Sequence, residues 1–129
     1  MKRAASDGCG ENTSFTAVIS EEKTHFGAGR KVTKQLLETA AGVSTLICAT
    51  DEIAMGALYA LHEAGVDVPG KIAVTGFDDI PAAAQFIPPI TTIRQPIEAM
   101  IKQAFKTVMD TADSGEISFP GELIIRQTA

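Results

Sequence analysis

The chain is poor in the side chains on which most catalysis and most stapled folds depend. Of its 129 residues none is tryptophan, one is tyrosine, two are cysteine and two are histidine. Cys9 and Cys48 stand far apart with no metal-ligand spacing around them. Cys48 lies inside an apolar run, where a cysteine acts as a small hydrophobe. His25 and His62 are isolated, so no ligand set for a metal is legible. There is no phosphate-cradling loop, no dinucleotide fingerprint and no nucleophile elbow. No enzyme activity, metal or cofactor is therefore expected. Positive charge is scarce as well: 11 Lys and Arg stand against 16 Asp and Glu, a net charge of −5. That balance disfavours non-specific attraction to nucleic acid. No apolar run approaches the roughly 20 residues of a membrane span, and the first residues lack the apolar core of a secretory signal. A cytoplasmic protein without a membrane partner is expected. Small and medium apolar residues are plentiful, and at 45% hydrophobic the chain can bury one modest core.

The most legible stretch is residues 45–79, TLICATDEIAMGALYALHEAGVDVPGKIAVTGFDD. Leu46, Ile47, Cys48 and Ala49 form the short apolar run of a buried parallel strand. Thr50 and Asp51 supply N-cap oxygens. Ile53, Ala54, Ala57, Leu58 and Leu61 then recur at helical spacing, and Gly65 suits the left-handed residue that ends a helix. Ile72, Ala73 and Val74 make a second strand. A parallel strand pair with a helical crossover follows. Its polar residues fall at the carboxyl ends of the strands: Thr50, Asp51 and Glu52 after the first, Asp78 and Asp79 after the second. Ligands of open α/β sheets bind in the crevice outside those ends, and hydroxyl and carboxylate acceptors there suit a polyhydroxylated small molecule. Asp51 and Asp79 also have a purely structural reading as caps; Asp78 is the favoured ligand contact.

Around this unit the signals vary in strength. A helix from residue 27 or 28 to about 40 would turn Ala28, Val32, Leu36 and Leu37 inward, with Arg30, Lys31, Lys34, Gln35 and Glu38 on a solvated face. The preceding SEEKTHFGAG reads as a loop that feeds this helix, and Phe15, Ala17, Val18 and Ile19 suggest a strand before it. Pro81 suits the first turn of a short helix. Pro88 and Pro89 force extended backbone, and residues 90–94 alternate as a strand does. Phe86, on the approach to that crossing, could pack on a sugar face or plug the core. From Pro96 to about residue 112 runs the most regular amphipathic helix, with Ile97, Met100, Ile101, Ala104, Phe105, Val108 and Met109 in one stripe. The tail ISFPGELIIRQTA reads as extended, with Leu123, Ile124 and Ile125 buried.

ATDEIAMGALYALHEAGVDVPGKIAVTGFDD, followed by PPITTIRQP and a closing Arg126-Gln127-Thr128, resembles the effector-binding core of the lactose-repressor/galactose-repressor family of bacterial transcription regulators. The resemblance runs in order from Ala49 to Arg126, and more weakly back to about Gly29. It implies an α/β fold, a parallel sheet flanked by helices: the carboxyl-terminal subdomain of a type I periplasmic-binding-protein-like fold, with one displaced helix of an absent amino-terminal subdomain. On that reading residues 1–86 and 119–129 form the carboxyl-terminal subdomain, and residues 87–118 are the crossover and helix of the other. It implies a small-molecule effector, a sugar or sugar derivative, and ligand contacts at Asp78, Thr50, Asp51, Glu52, Arg3, Thr24 and Phe86; the family's loop at SEEKTHFGAG can place a side chain at the cleft, which makes His25 and Phe26 candidates beside Thr24. Thr50 stands where the family carries Asn, so an amide's paired donor and acceptor are lost there. It implies a homodimer or higher oligomer, with Ile97, Ile101, Phe105 and Val108 buried between chains. No helix-turn-helix or basic hinge is legible, so DNA would be reached only through a domain absent from this chain. A sugar receptor of a transport system with the same fold is the alternative; the VPGKIAVTGFDDIPAA and IPPITTIRQP wording favours the repressor branch.

Overall fold

Helix α1 (His25–Thr39) opens two residues earlier than its apolar spacing predicts, so His25 and Phe26 belong to a helical turn and not to a loop. Tertiary contacts explain the extension: the Phe26 ring meets Tyr59 edge-on at 5.8 Å between centroids, and His25 Nδ1 lies 2.8 Å from Glu52 Oε2. The computed structural model describes residues 25–39, 42–109 and 116–129, with Val18 before them. Arg3, Cys9, Thr24, Phe15, Ala17 and Ile19 lie outside the described residues.

Strand β1 (Thr45–Ile47), helix α2 (Asp51–Glu63) and strand β2 (Ala73–Thr75) form the expected parallel unit, in register Thr45 to Ala73 and Ile47 to Thr75. β1 is not the buried strand its apolar run suggests: Ile47 is 74% exposed and Ala49 exposed, because only one face of the strand meets the core through Leu46 and Cys48. The ladder continues past the strands, with Cys48 N donating to Thr75 O and Asp51 N to Phe77 O, both at 2.9 Å. Thr50 caps α2, its hydroxyl accepting from Ile53 N at 3.3 Å, and Gly65 takes φ 65° beyond the helix end. The buried face of α2 (Ala54, Ala57, Leu58, Leu61) joins Cys48, Ile72, Val74, Ala83 and Ile90 in one core.

α1 crosses α2 through small residues. Its buried positions are Gly29 and Thr33, whereas Ala28, Val32 and Leu36 are half-buried and Leu37 is exposed. A Cβ at Gly29 would run into the carbonyl oxygen of Ile53, and one at Gly56 into that of Phe26. Two backbones this close leave the larger side chains flanking the contact, which corrects the inward set expected from spacing alone. The outer face is not bare solvent surface either: Arg30 grips Glu63 through Nε and Nη2 at 3.1 and 2.8 Å and stacks on Tyr59, and Lys34 reaches Glu63 at 3.0 Å.

Beyond β2, helix α3 (Pro81–Gln85) begins at its proline, and strand β3 (Thr92–Arg94) lies beside the end of β2, with Gly76 N donating to Thr91 O and Asp78 N to Ile93 O. After β3 comes helix α4 (Ile97–Met109), and strand β4 (Glu122–Ile124) returns antiparallel to β3, pairing Thr92 with Ile124 and Arg94 with Glu122. The last residues are laced inward: Val74 N donates to Thr128 O at 2.7 Å, and the buried Thr128 hydroxyl accepts from Thr91 N. The tail's three apolar residues are not all inside. Ile124 is half-buried, while Leu123 and Ile125 are 57% and 72% exposed. Successive strand side chains alternate faces, so a strand covered on one side buries only every second residue.

α4 is the least covered element of the single chain. None of its residues is buried, and among the described residues it makes at most marginal contact with any other helix or strand. It does not fold back on the sheet. Ile97, Ile101, Phe105 and Val108 are between 51% and 80% exposed in the single chain.

Candidate functional site

The carboxyl ends of β1 and β2 lie side by side, as the sequence predicts, and β3 brings a third end beside them; their polar residues divide the work differently. Asp51, in the first turn of α2, is fully buried. Its Oδ1 accepts from the Thr92 hydroxyl at 2.5 Å and its Oδ2 from Ile80 N at 2.9 Å. One carboxylate thus ties α2 to β3 and to the loop before α3. A Cβ at Gly76 would strike it, which accounts for glycine at the end of β2. Asp51 is a joint of the fold; the ligand contact expected there is corrected, because no face of it is open to a ligand. Its charge and burial also act on Cys48, whose thiol is pushed up to about 12, burial being the larger cause. That thiol stays protonated and inert.

Asp79 is a second joint. Its side chain is almost wholly buried and receives Arg94 Nε at 2.7 Å and Arg126 Nη2 at 2.5 Å. Burial works to raise this carboxyl, but the hydrogen bonds from Arg126 and Arg94 outweigh it and hold the group below its ordinary value. Arg126 also donates through Nη1 to Ile90 O at 2.8 Å, and Arg94 reaches Glu122.

Asp78 remains available. It is half-buried, and its Oδ1 accepts from Gln95 Nε2 at 2.6 Å. Asp78 and Asp79 take φ 108° and 54°, two successive non-glycine residues on the positive side. Such residues cost of order 1–3 kcal/mol each and gather where the surroundings over-determine the backbone, functional sites among them. Here the over-determination is visible, in the Asp78 N to Ile93 O bond and the Asp79–arginine pairs.

Thr50 and Glu52 follow the end of β1. Thr50 is half-buried and engaged as a cap; Glu52 is exposed and paired to His25. Phe86 is half-buried and packs against the core. Surface hollows of about 220 and 350 Å³ lie elsewhere, one beside Leu36, Leu46 and Ile72 toward the amino ends of the strands, one along α4 beside Ile117 and Phe119. Neither touches Thr50, Glu52 or Asp78. Among the described residues no cluster of three His, Cys, Asp or Glu is placed to hold a metal, and no helix is long and apolar enough to cross a membrane.

Sequence reasoning passed over Gln95, Thr92 and the roles of Arg94 and Arg126. Thr92 and Arg94 were legible as alternate residues of a strand. Nothing local says that they meet carboxylates from residues 51 and 79.

Against known proteins, the whole chain, residues 1–129, matches the family model described as periplasmic binding protein-like domain. It is 35% identical over 115 residues to the helix-turn-helix-type transcriptional regulator AscG of Escherichia coli, an alignment covering 86% of this chain and 34% of that protein. The solved structure of a lactose-repressor-family regulator from Lactobacillus casei with bound glucose aligns at TM-score 0.67 and 34% identity, over 81% of this chain and 39% of that one. The lac repressor dimer bound to operator and an anti-inducer aligns at TM-score 0.73 and 29% identity, over 79% and 37%. The chain spans about a third of the length of AscG.

Proposed function

Because the chain belongs to the periplasmic binding protein-like domain family, in its lactose-repressor/galactose-repressor branch, we propose that it is the effector-sensing and dimerising portion of a sugar-responsive transcriptional repressor. The reading rests on Asp78: a half-buried carboxylate just beyond the end of β2, in a strained turn held to β3 by the Asp78 N to Ile93 O bond and to Gln95 by its side chain. A carboxylate there can accept from adjacent sugar hydroxyls, with Thr50 and Glu52 beside it. DNA contact belongs to another domain of the helix-turn-helix kind, and the protein works in the cytoplasm without catalysis. Residues 1–86 and 119–129 form one side of the ligand cleft, and residues 87–118 cross to the other. The uncovered stripe of α4 supports that division, since a helix built to pack elsewhere has no reason to cover its apolar face locally.

Half a cleft binds weakly, so the isolated chain is expected to hold glucose in the millimolar range, roughly −4 kcal/mol. Titration of the chain with glucose, followed by amide NMR, should move the resonances of Thr50, Asp78 and Asp79. Asp78→Ala should weaken that binding tenfold or more, since bonds to a charged acceptor are worth about 1.5–3 kcal/mol. Unchanged affinity in Asp78→Ala, or shifts confined to other regions, would reject the site. Micromolar affinity for glucose in the isolated chain would reject the half-cleft reading.

A further inference from the structure

We propose that Gln95 is a positioning residue that holds the Asp78 carboxylate and ties the state of that site to the base of helix α4. The proposal deepens the binding role given to Asp78 and rests on it for its biological meaning.

Residues 93–95 meet residues 78–79 almost one for one. Ile93 O accepts from Asp78 N at 2.9 Å, Arg94 Nε donates to the Asp79 carboxylate at 2.7 Å, and Gln95 Nε2 donates to Asp78 Oδ1 at 2.6 Å. The first two contacts fix backbone and a buried joint. The third is different in kind, because it is made by the half-buried, site-facing carboxylate to a side chain that leads out of the sheet. Gln95 is followed at once by α4: Ile97 N donates to Gln95 O at 2.9 Å, and Met100 N to Pro96 O at 3.1 Å. Pro96 has no amide hydrogen and a restricted φ, so the link between Gln95 and the first turn of α4 is short and stiff. Among the described residues α4 makes at most marginal contact with any other helix or strand, and shares a surface hollow with Ile117 and Phe119. The residues that join it to β3 are therefore its firmest attachment to the sheet, and the Gln95 side-chain bond is the one among them that a ligand at Asp78 would disturb.

The amide matters chemically. As a neutral donor it orients one carboxylate oxygen without a second charge, which leaves the other oxygen for hydroxyls. A ligand bonded to Asp78 draws electron density from the carboxylate and competes for its lone pairs, weakening or re-aiming the bond to Gln95. A ligand at the strand ends then shifts the base of α4 without touching that helix.

The test separates this link from the binding role. In the ligand-free chain, hydrogen exchange at the Ile97 and Met100 amides is compared among the native protein, Asp78→Ala, Gln95→Ala and the double variant, with α2 amides as the folding control. Each single variant should speed exchange at those two sites about fivefold, the size expected for a partly exposed bond to a charged group, and the double variant should speed it no further. Additive effects, or no effect with α2 protection intact, would overturn the link whether or not glucose binds. Gln95→Asn keeps the amide but shortens its reach and should behave as Gln95→Ala; native-like exchange in it would also overturn the proposal. With glucose added at millimolar concentration, the Ile97 amide should shift in the native chain and stay still in Gln95→Ala. Shifts that persist in Gln95→Ala would assign the transmission to another path.

Discussion

Helices α2 and α4 are each 13 residues long, and α4 carries the more regular apolar stripe. Yet α2 buries seven of its residues and α4 none. Periodicity states that a helix has a face to cover; it does not state with what. What separates the two is their ends and their small residues. α2 opens on Thr50 and Asp51, which fasten it to its own first turn, to β3 and to the loop before α3, and Gly56 lets α1 lie against it backbone to backbone. α4 has neither a fastening carboxylate nor a glycine for close approach. The first helix is built into the core of this chain; the second, among the described residues, packs at most marginally on any other helix or strand and joins the sheet at Gln95 and Pro96.

The sharpest way to break that contrast is to unfasten α2. Asp51→Ala would leave the Thr92 hydroxyl and the Ile80 amide without partners in a dry site and remove two bonds to a charged acceptor. The loss should be about 3–5 kcal/mol, a large share of the total for a chain of this size. Chemical denaturation followed by circular dichroism would show it, and a loss under 1 kcal/mol would mean that the joint is dispensable. Asp51→Asn should recover part of the loss by accepting one of the two bonds.

The second joint offers a smaller effect with a pH signature. Arg94 is half-exposed and contributes little; Arg126, mostly buried, carries the pair with Asp79. Because the Asp79 carboxyl sits below its ordinary value in the fold, its stabilising contribution is complete above about pH 4, where the unfolded chain's carboxyl is also ionised. It disappears as pH falls through the depressed value. Asp79→Asn should therefore be less stable by about 2 kcal/mol at neutral pH, and should lose less on acidification than the native chain. Parallel acid limbs for the two proteins would show that Asp79 does not set the slope.

How much of this was legible in the sequence follows from the range of each interaction. The β1–α2–β2 unit was, because capping, helical spacing and the glycine after the helix all act within a few residues. So was the adjacency of the first two strand ends, where Asp51 N meets Phe77 O, since a parallel crossover places successive strand ends side by side. The inward face of α1 was not, because it depends on Gly29 meeting the carbonyl of Ile53. The division among the three acidic groups was not legible either. Asp51, Asp78 and Asp79 are the same residue type at equivalent places, and only their partners at residues 92, 95 and 126 decide which are joints and which faces outward. The tail misled for a related reason: three apolar residues in a row suggest burial, but a strand covered on one face takes in only the middle one.

The smallest effect on stability should come from the opposite side of the comparison. Phe105 is 69% exposed on α4, so Phe105→Glu removes little that the single chain buries, and the unfolding free energy of the α2 core should change by less than about 0.5 kcal/mol. Its effect on association should be large. The stripe of Ile97, Ile101, Phe105 and Val108 left in water would forfeit roughly 1.5–3 kcal/mol for each larger side chain, and it makes a patch that soluble monomers seldom tolerate. Since α4 does not cover that face with its own sheet, a second copy can, and a helix joined by a short extended segment is well placed to exchange between chains. Light scattering of the native chain at micromolar concentration should therefore report a dimer or larger species. Phe105→Glu, which places a charge at the centre of the stripe, should report a monomer with an intact core. A native monomer under those conditions would sink the assembly outright. A variant that stays dimeric with the α2 core unchanged would move the interface to another face and leave α4 to a partner other than this chain.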